Sequence, residues 1–262
     1  MDLGLNGKVA LVAAASKGLG KAVAEGFARE GASVSICGRE EASITAVANE
    51  ISSATGAKVL PVVADVTNPA DITRFVETTV AEFGRLDSLV CNAGGPPPGG
   101  FVDLDDAAWD KAYQITMMSA VRLIRAALPA LRESGTGRIV SMASSSVKQP
   151  IPGLLLSNTF RLGLHGMIKT ISDEFAADGI LVNTVGPGRF DTDRVRSLDA
   201  GRASKAGISV EEQRTRTEKE ITLGRYGQAD EFARYVVFLG SPANTYVTGQ
   251  SLLADGGLTR AL

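Results

Sequence analysis

Residues 8–20 read Lys8-Val9-Ala10-Leu11-Val12-Ala13-Ala14-Ala15-Ser16-Lys17-Gly18-Leu19-Gly20, an apolar run that meets a glycine pair and then a helical pattern. The run over 8–14 predicts a buried strand, and 18–30 predicts a helix with alanine and phenylalanine on one face. Between them, Gly18 and Gly20 let the backbone approach a pyrophosphate, while the helix start offers unpaired N–H groups and a favourable dipole. A glycine pair after a strand also suits an ordinary tight turn, so the rest of the chain must decide.

The same alternation continues outward. Further strands are predicted at 33–37, 58–64, 86–91, 138–143, 180–185 and 250–253, and helices at 41–54, 69–83, 105–133, 154–177 and 229–239. Strands this apolar need cover on both faces, which makes the chain an α/β protein with a Rossmann-type, doubly wound parallel sheet. Strict alternation leaves no room for a second domain, so 1–262 is expected to be one unit. Residues 94–100, GGPPPGG, form a loop because glycine and proline continue neither periodicity. Residues 191–227 are polar and less regular, with a helical pattern at 209–220. They leave the carboxyl end of the sixth strand, where ligands sit, and are expected to form a substrate lid.

Composition narrows the function classes. The 262 residues are 44% hydrophobic and 21% charged, enough apolar material for a sizeable core. The formal net charge is -2 with no basic cluster, which argues against nucleic-acid partners or a polybasic membrane anchor. No apolar run approaches the roughly 18 residues of a membrane span, and the N-terminus lacks a signal-peptide pattern. A cytoplasmic protein is expected. Cys37 and Cys91 each end an apolar strand pattern and are read as inert core thiols, with a disulfide or metal pair the lesser alternative. No metal site is expected.

Several ordered motifs then point one way. Ala14, Ser16, Lys17, Gly18, Leu19 and Gly20 lie in a segment that resembles the TGxxxGxG loop of the short-chain dehydrogenase/reductase family. Asp65-Val66, Asn92-Ala93-Gly94, Asn183 with Pro187-Gly188, and Thr192 follow at the matching positions. Leu223–Gly227 (LGRYG) and Ala254-Asp255-Gly256-Gly257 match its C-terminal signatures. The chain is similar to members of the 3-oxoacyl-carrier-protein reductase kind. The resemblance implies NAD(P)(H) binding by these motifs and by Phe190, and a homodimer or homotetramer built on the helices at 105–133 and 154–177. One departure is immediate: Ala14 replaces the first loop glycine, which is harmless at negative φ and otherwise forces the loop to shift.

The choice of nucleotide rests on the end of the second strand. An NAD site places an acid there for the ribose hydroxyls, but this chain has Gly38 followed by Arg39. A guanidinium grips a 2′-phosphate in bidentate fashion, and Lys17 adds a second charge. NADP(H) is therefore the expected cofactor.

The resemblance also implies a serine, a tyrosine thirteen residues later, a lysine four beyond it, and an asparagine on the preceding helix. The positions fall on Ser144, Ser157, Arg161 and Thr116, so three of the four are replaced. Ser157 cannot deliver the proton a tyrosine would, and Arg161 keeps a charge but shuttles protons poorly. Ser144, Ser157 and Asn158 are expected to donate to an oxyanion, with Arg161 adding charge or holding ribose. His165 and Trp109 are read as packing residues. The expected activity is NADPH-dependent hydride transfer to a small carbonyl-containing substrate through a non-standard site. Conjugated C=C reduction and a catalytically silent NADP(H)-binding protein are the alternatives.

Overall fold

The computed structural model describes residues 1–261; Leu262, the last residue of the expected domain, lies outside them. Along the chain, β1 (Val9–Val12) leads to α1 (Gly18–Arg29), β2 (Ser33–Gly38), α2 (Glu41–Thr55), β3 (Val59–Val63) and α3 (Pro69–Phe83). Next come β4 (Ser88–Cys91), α4 (Asp106–Tyr113), α5 (Ser119–Glu133), β5 (Arg138–Met142), α6 (Leu155–Glu174) and β6 (Leu181–Pro187). The chain closes with α7 (Asp193–Ala206), α8 (Val210–Glu220), α9 (Ala229–Leu239) and β7 (Ser251–Ala254).

The seven strands form one parallel sheet in the order β3-β2-β1-β4-β5-β6-β7. Alternate residues of β1 serve opposite faces, as the two-residue strand period requires. Ala10 and Val12 pack with Val23 and Phe27 of α1, Ile44 of α2 and Phe232 of α9. Val9 and Leu11 pack with Phe75 of α3, Leu123 of α5 and Ile168 of α6. Each fully buried phenylalanine, such as Phe27, contributes about 1.5–3 kcal/mol of apolar burial. The winding direction reverses between β1 and β4, which opens a crevice at the carboxyl ends of those strands.

Two elements differ from the sequence expectation. The helix expected over 105–133 is interrupted by a π-helical turn at Gln114–Met118, where one extra residue enters the spiral. The helix α7 was not expected at all. Only Asp199 and Ala203 of its 14 residues are buried, so no apolar stripe marks it. Thr192 caps its start by accepting from the Val195 N–H, and Gly207 ends it at φ +65°.

Candidate active site

The crevice is a cleft of about 1720 Å³. The glycine loop forms one end of it. Ala14 has φ +48°, the only positive φ outside glycine among the described residues. The condition for an easily tolerated methyl group is thus not met: Ala14 holds the left-handed shape that glycine adopts freely, at a cost of about 1–2 kcal/mol. The loop keeps that shape because its neighbours fix it. Asn92 Nδ2 donates to the carbonyl oxygens of Ala13 and Ala14 at 3.1 Å each, and the Ala14 N–H donates to Cys37 Sγ at 3.3 Å. Gly20 sits so close that a Cβ there would lie 2.7 Å from both Ala14 O and Asn92 Nδ2. Gly18, at φ +58°, faces the Thr192 methyl group, so the 191–227 segment begins against the glycine loop.

At the end of β2, Gly38 is buried. A Cβ on it would lie 3.3 Å from Ser16 Cβ and 3.4 Å from Ile44 Cβ, which leaves little space for an acidic side chain. Arg39 and Lys17 are exposed at the cleft, and neither has an acid within 4.0 Å among the described residues. Asp65 lines the cleft and accepts from the Thr67 N–H and hydroxyl through Oδ1, both at 2.8 Å. Leu19, Val66, Ala93, Gly94, Pro187 and Gly188 also line it. Phe190 lines it from a buried position, its ring edge-on to Phe232 at 5.3 Å. The glycine cradle, the closely packed Gly38 and the two free cations fit a dinucleotide with a ribose phosphate.

Ser144, just past β5, accepts from the Ser146 N–H at 3.1 Å, which fixes its hydroxyl at the cleft wall. Ser157 lies in the first turn of α6 and lines the same wall. Arg161, one turn further, donates from Nη1 to the carbonyl oxygens of Met142 and Ala143 at 2.9 and 2.7 Å. Burial, with the charge of Arg194, pushes its guanidinium down to about 10, still a cation at neutral pH. Thr116 is not on this wall. It sits in the π turn with its hydroxyl buried and unpartnered, beside a separate cavity of about 10 Å³ that also touches Arg161 and Asn92.

Asn158 corrects the expectation. Its side-chain amide accepts from the Ile151 N–H at 3.2 Å and donates to the Ile151 carbonyl at 2.9 Å, and it does not line the cleft. Successive helical residues point ~100° apart, so the neighbour of Ser157 faces elsewhere. His165 is also away from the cleft; burial, then Lys148 and Lys169, lower its pKa. Trp109 packs edge-on against Phe160 at 5.8 Å. Cys37 and Cys91 are free and buried, and no cluster of three metal-ligating residues occurs among the described residues.

Sequence reasoning missed Arg194 of α7. Its Nη2 donates to the Pro96 carbonyl at 2.8 Å, which joins α7 to the proline loop. The only signal available was the run of arginines from Arg189 to Arg202. No helix among the described residues is long and apolar enough to cross a membrane.

Comparison with known proteins agrees with this geometry. A family model described as Enoyl-(Acyl carrier protein) reductase matches residues 13–259. The 3-oxoacyl-(acyl-carrier-protein) reductase of Escherichia coli is 33% identical over 256 residues, covering 98% of this chain and 99% of that one. L-sorbose reductase from Gluconobacter frateurii, solved with NADPH and L-sorbose, superposes with a TM-score of 0.95 at 32% identity, covering 100% of both chains. A variant of actinorhodin polyketide ketoreductase, solved with NADPH, gives 0.92 at 32% identity over 97% of both.

Proposed function

This chain belongs to the short-chain dehydrogenase/reductase family, and from that premise we propose that it is an NADPH-dependent reductase of a carbonyl-containing substrate. The observation that carries the reading is the cleft itself. A glycine cradle and two unpaired cations lie at one end of it, and Ser144 and Ser157 lie on its wall. The NADPH complexes of the two solved relatives support the nucleotide.

NADPH, when bound, supplies the hydride. Lys17 and Arg39 would hold the 2′-phosphate, the N–H groups at the start of α1 the pyrophosphate, and Asp65-Val66 the adenine. Pro187, Gly188 and Thr192 would border the nicotinamide. Ser144, oriented by Ser146, donates to the substrate oxygen, and Ser157 offers a second donor. Arg161 contributes a fixed positive charge to the same wall, where it stabilises a developing oxyanion. With Nη1 committed to Met142 and Ala143, it acts from a set position and not as a swinging ribose clamp.

No tyrosine or histidine lines the cleft, and this favours a second reading, conjugate reduction. There the hydride enters at the β-carbon, the enolate oxygen needs donors more than an immediate proton, and the α-carbon takes its proton afterwards from water. Loss of a general acid costs roughly 10²–10⁴ in rate, about 3–5.5 kcal/mol, which a carbonyl reduction must bear and a conjugate reduction largely avoids. NADPH consumption on simple ketones and conjugated enones, with product identification, tests both. An alcohol product supports carbonyl reduction, and a saturated ketone supports conjugate reduction. NADPH binding without turnover of either class would favour the silent binding protein.

Assembly belongs to the same reading. Tyr113 and Leu162 are exposed on α4 and α6, where a second copy would cover them. A sedimentation profile of monomer alone would overturn this.

A further inference from the structure

The arginines of the lid divide into two groups. Arg189 pairs with Asp199, Arg196 with Asp191 and Asp193, Arg214 with Asp191 and Glu218, and Arg216 with Glu212. Arg194 and Arg202 have no acid within 4.0 Å among the described residues, and both line the cleft. Asp193, adjacent to Arg194 in sequence, turns to Arg196 instead.

Arg194 is also held in place. Among the described residues its side chain's only hydrogen bond is to the Pro96 carbonyl, and its guanidinium packs closely against Gly95. A Cβ there would sit 3.0, 3.2 and 3.3 Å from Nη2, Nε and the central carbon. Arg161 is anchored likewise, by backbone carbonyls alone. The two are close enough for the charge of Arg194 to lower the Arg161 pKa, yet neither has a carboxylate within 4.0 Å among the described residues. In all, eight lysine and arginine side chains line the cleft against three acids, in a chain whose formal net charge is -2. Lys17 and Arg39 account for a ribose phosphate at the β2 end. Arg194 lies instead beside Gly95 and Pro96, beyond β4, and Arg161 beside the carbonyls of Met142 and Ala143 that precede Ser144.

We infer that the substrate carries a carboxylate, and that Arg194, backed by the charge of Arg161, selects it. A planar guanidinium fixed by one backbone bond and one close contact keeps its other N–H groups free for a bidentate partner, the geometry a carboxylate matches. Two neighbouring cations without an acid raise each other's energy, and an anion arriving between them relieves both. This inference rests on the reductase reading for its chemistry, but its first test does not need turnover.

The NADP⁺-loaded protein is titrated calorimetrically, at low salt, with levulinate and benzoylformate and with their methyl esters. The acids should bind roughly tenfold to hundredfold more tightly than the esters. Arg194→Gln should abolish that preference while leaving NADP⁺ affinity within about twofold, and Arg194→Lys should restore part of it. Equal binding of acid and ester, no binding of either acid at concentrations that would fill a millimolar site, or a preference that survives Arg194→Gln overturns the inference. So does a loss of NADP⁺ affinity in Arg194→Gln with the acid preference intact, which would assign Arg194 to the cofactor. NADPH consumption on the same compounds separates the two readings. Turnover of esters as fast as acids keeps the reductase and sinks the carboxylate. An acid preference in binding without any turnover keeps the carboxylate site and counts against the reductase.

Discussion

Tyr226 donates its phenolic hydrogen to Asp199 Oδ2 at 2.7 Å, and this buried bond ties helix α7 to the segment following α8. The other carboxylate oxygen lies 3.2 Å from Arg189 Nη1, an ion pair without hydrogen-bond alignment. Arg214 covers the Tyr226 ring at 4.5 Å. Tyr226→Phe keeps the ring and its packing but leaves Asp199 with that one imperfect partner. The variant should lose about 1–3 kcal/mol in denaturant unfolding, and the 191–227 segment should be cleaved faster by protease. Unchanged stability and cleavage would mean the bond does not hold the lid.

The same tyrosine and the two thiols set an alkaline limit. Burial pushes Cys37 and Cys91 from 9.0 up to about 12, and burial with the Asp199 bond raises Tyr226 from 10.0 to about 12. Each group ionises earlier when unfolded than when folded. The stability they contribute is therefore complete below about pH 9 and is lost as pH rises towards about 12. Urea midpoints should fall across that window, and Cys91→Ala should flatten the fall. A Cys91→Ala midpoint with the same alkaline slope as the parent would show that another group sets the limit.

Ala14 offers the clearest strain test. Glycine at φ +48° has no Cβ penalty, though it loses more chain entropy on folding. Ala14→Gly should raise the thermal midpoint by the equivalent of about 0.5–1 kcal/mol and bind NADPH at least as tightly. A lower midpoint would mean that the methyl group contributes packing that outweighs the backbone cost.

The sequence carries the sheet well because each strand is an apolar run bounded by turns; β1, β2, β4 and β5 fall within a few residues of their expected ranges. It carries the cofactor end for a related reason: Gly18, Gly20 and Asn92 act through backbone shape and close approach, which residue type alone reports. The substrate end was less legible. Asn158 faces Ile151 rather than the cleft, and helical neighbours of Ser157 differ only in direction. The helix carrying Arg194 has no apolar stripe, since it lies over a cleft and not over a core. The π turn that turns Thr116 away from the wall depends on a single extra residue per turn.

Arg39 tests the nucleotide. Among the described residues it has no acidic partner to release, so its removal should act on the ligand. Arg39→Asp should weaken NADPH binding by roughly tenfold to hundredfold and leave NADH binding equal or improved, read by calorimetry. An equal loss for both nucleotides would indicate a disturbed β2 end, not a lost phosphate contact.

The last test restores what the site lacks. Ser157 and Arg161 are one helical turn apart on the same wall, so Ser157→Tyr with Arg161→Lys returns a phenol and an amine to adjoining positions. Arg161→Lys forfeits the paired bonds to Met142 and Ala143, so the double variant should lose about 1–3 kcal/mol of stability. Its reduction of a simple ketone should nevertheless rise by roughly 10²–10⁴, the contribution of a positioned general acid. Conjugate reduction should rise much less, because its enolate already finds donors in Ser144 and Ser157. If both reactions respond alike, proton delivery does not separate them, and the absent tyrosine loses its force as an argument for conjugate reduction.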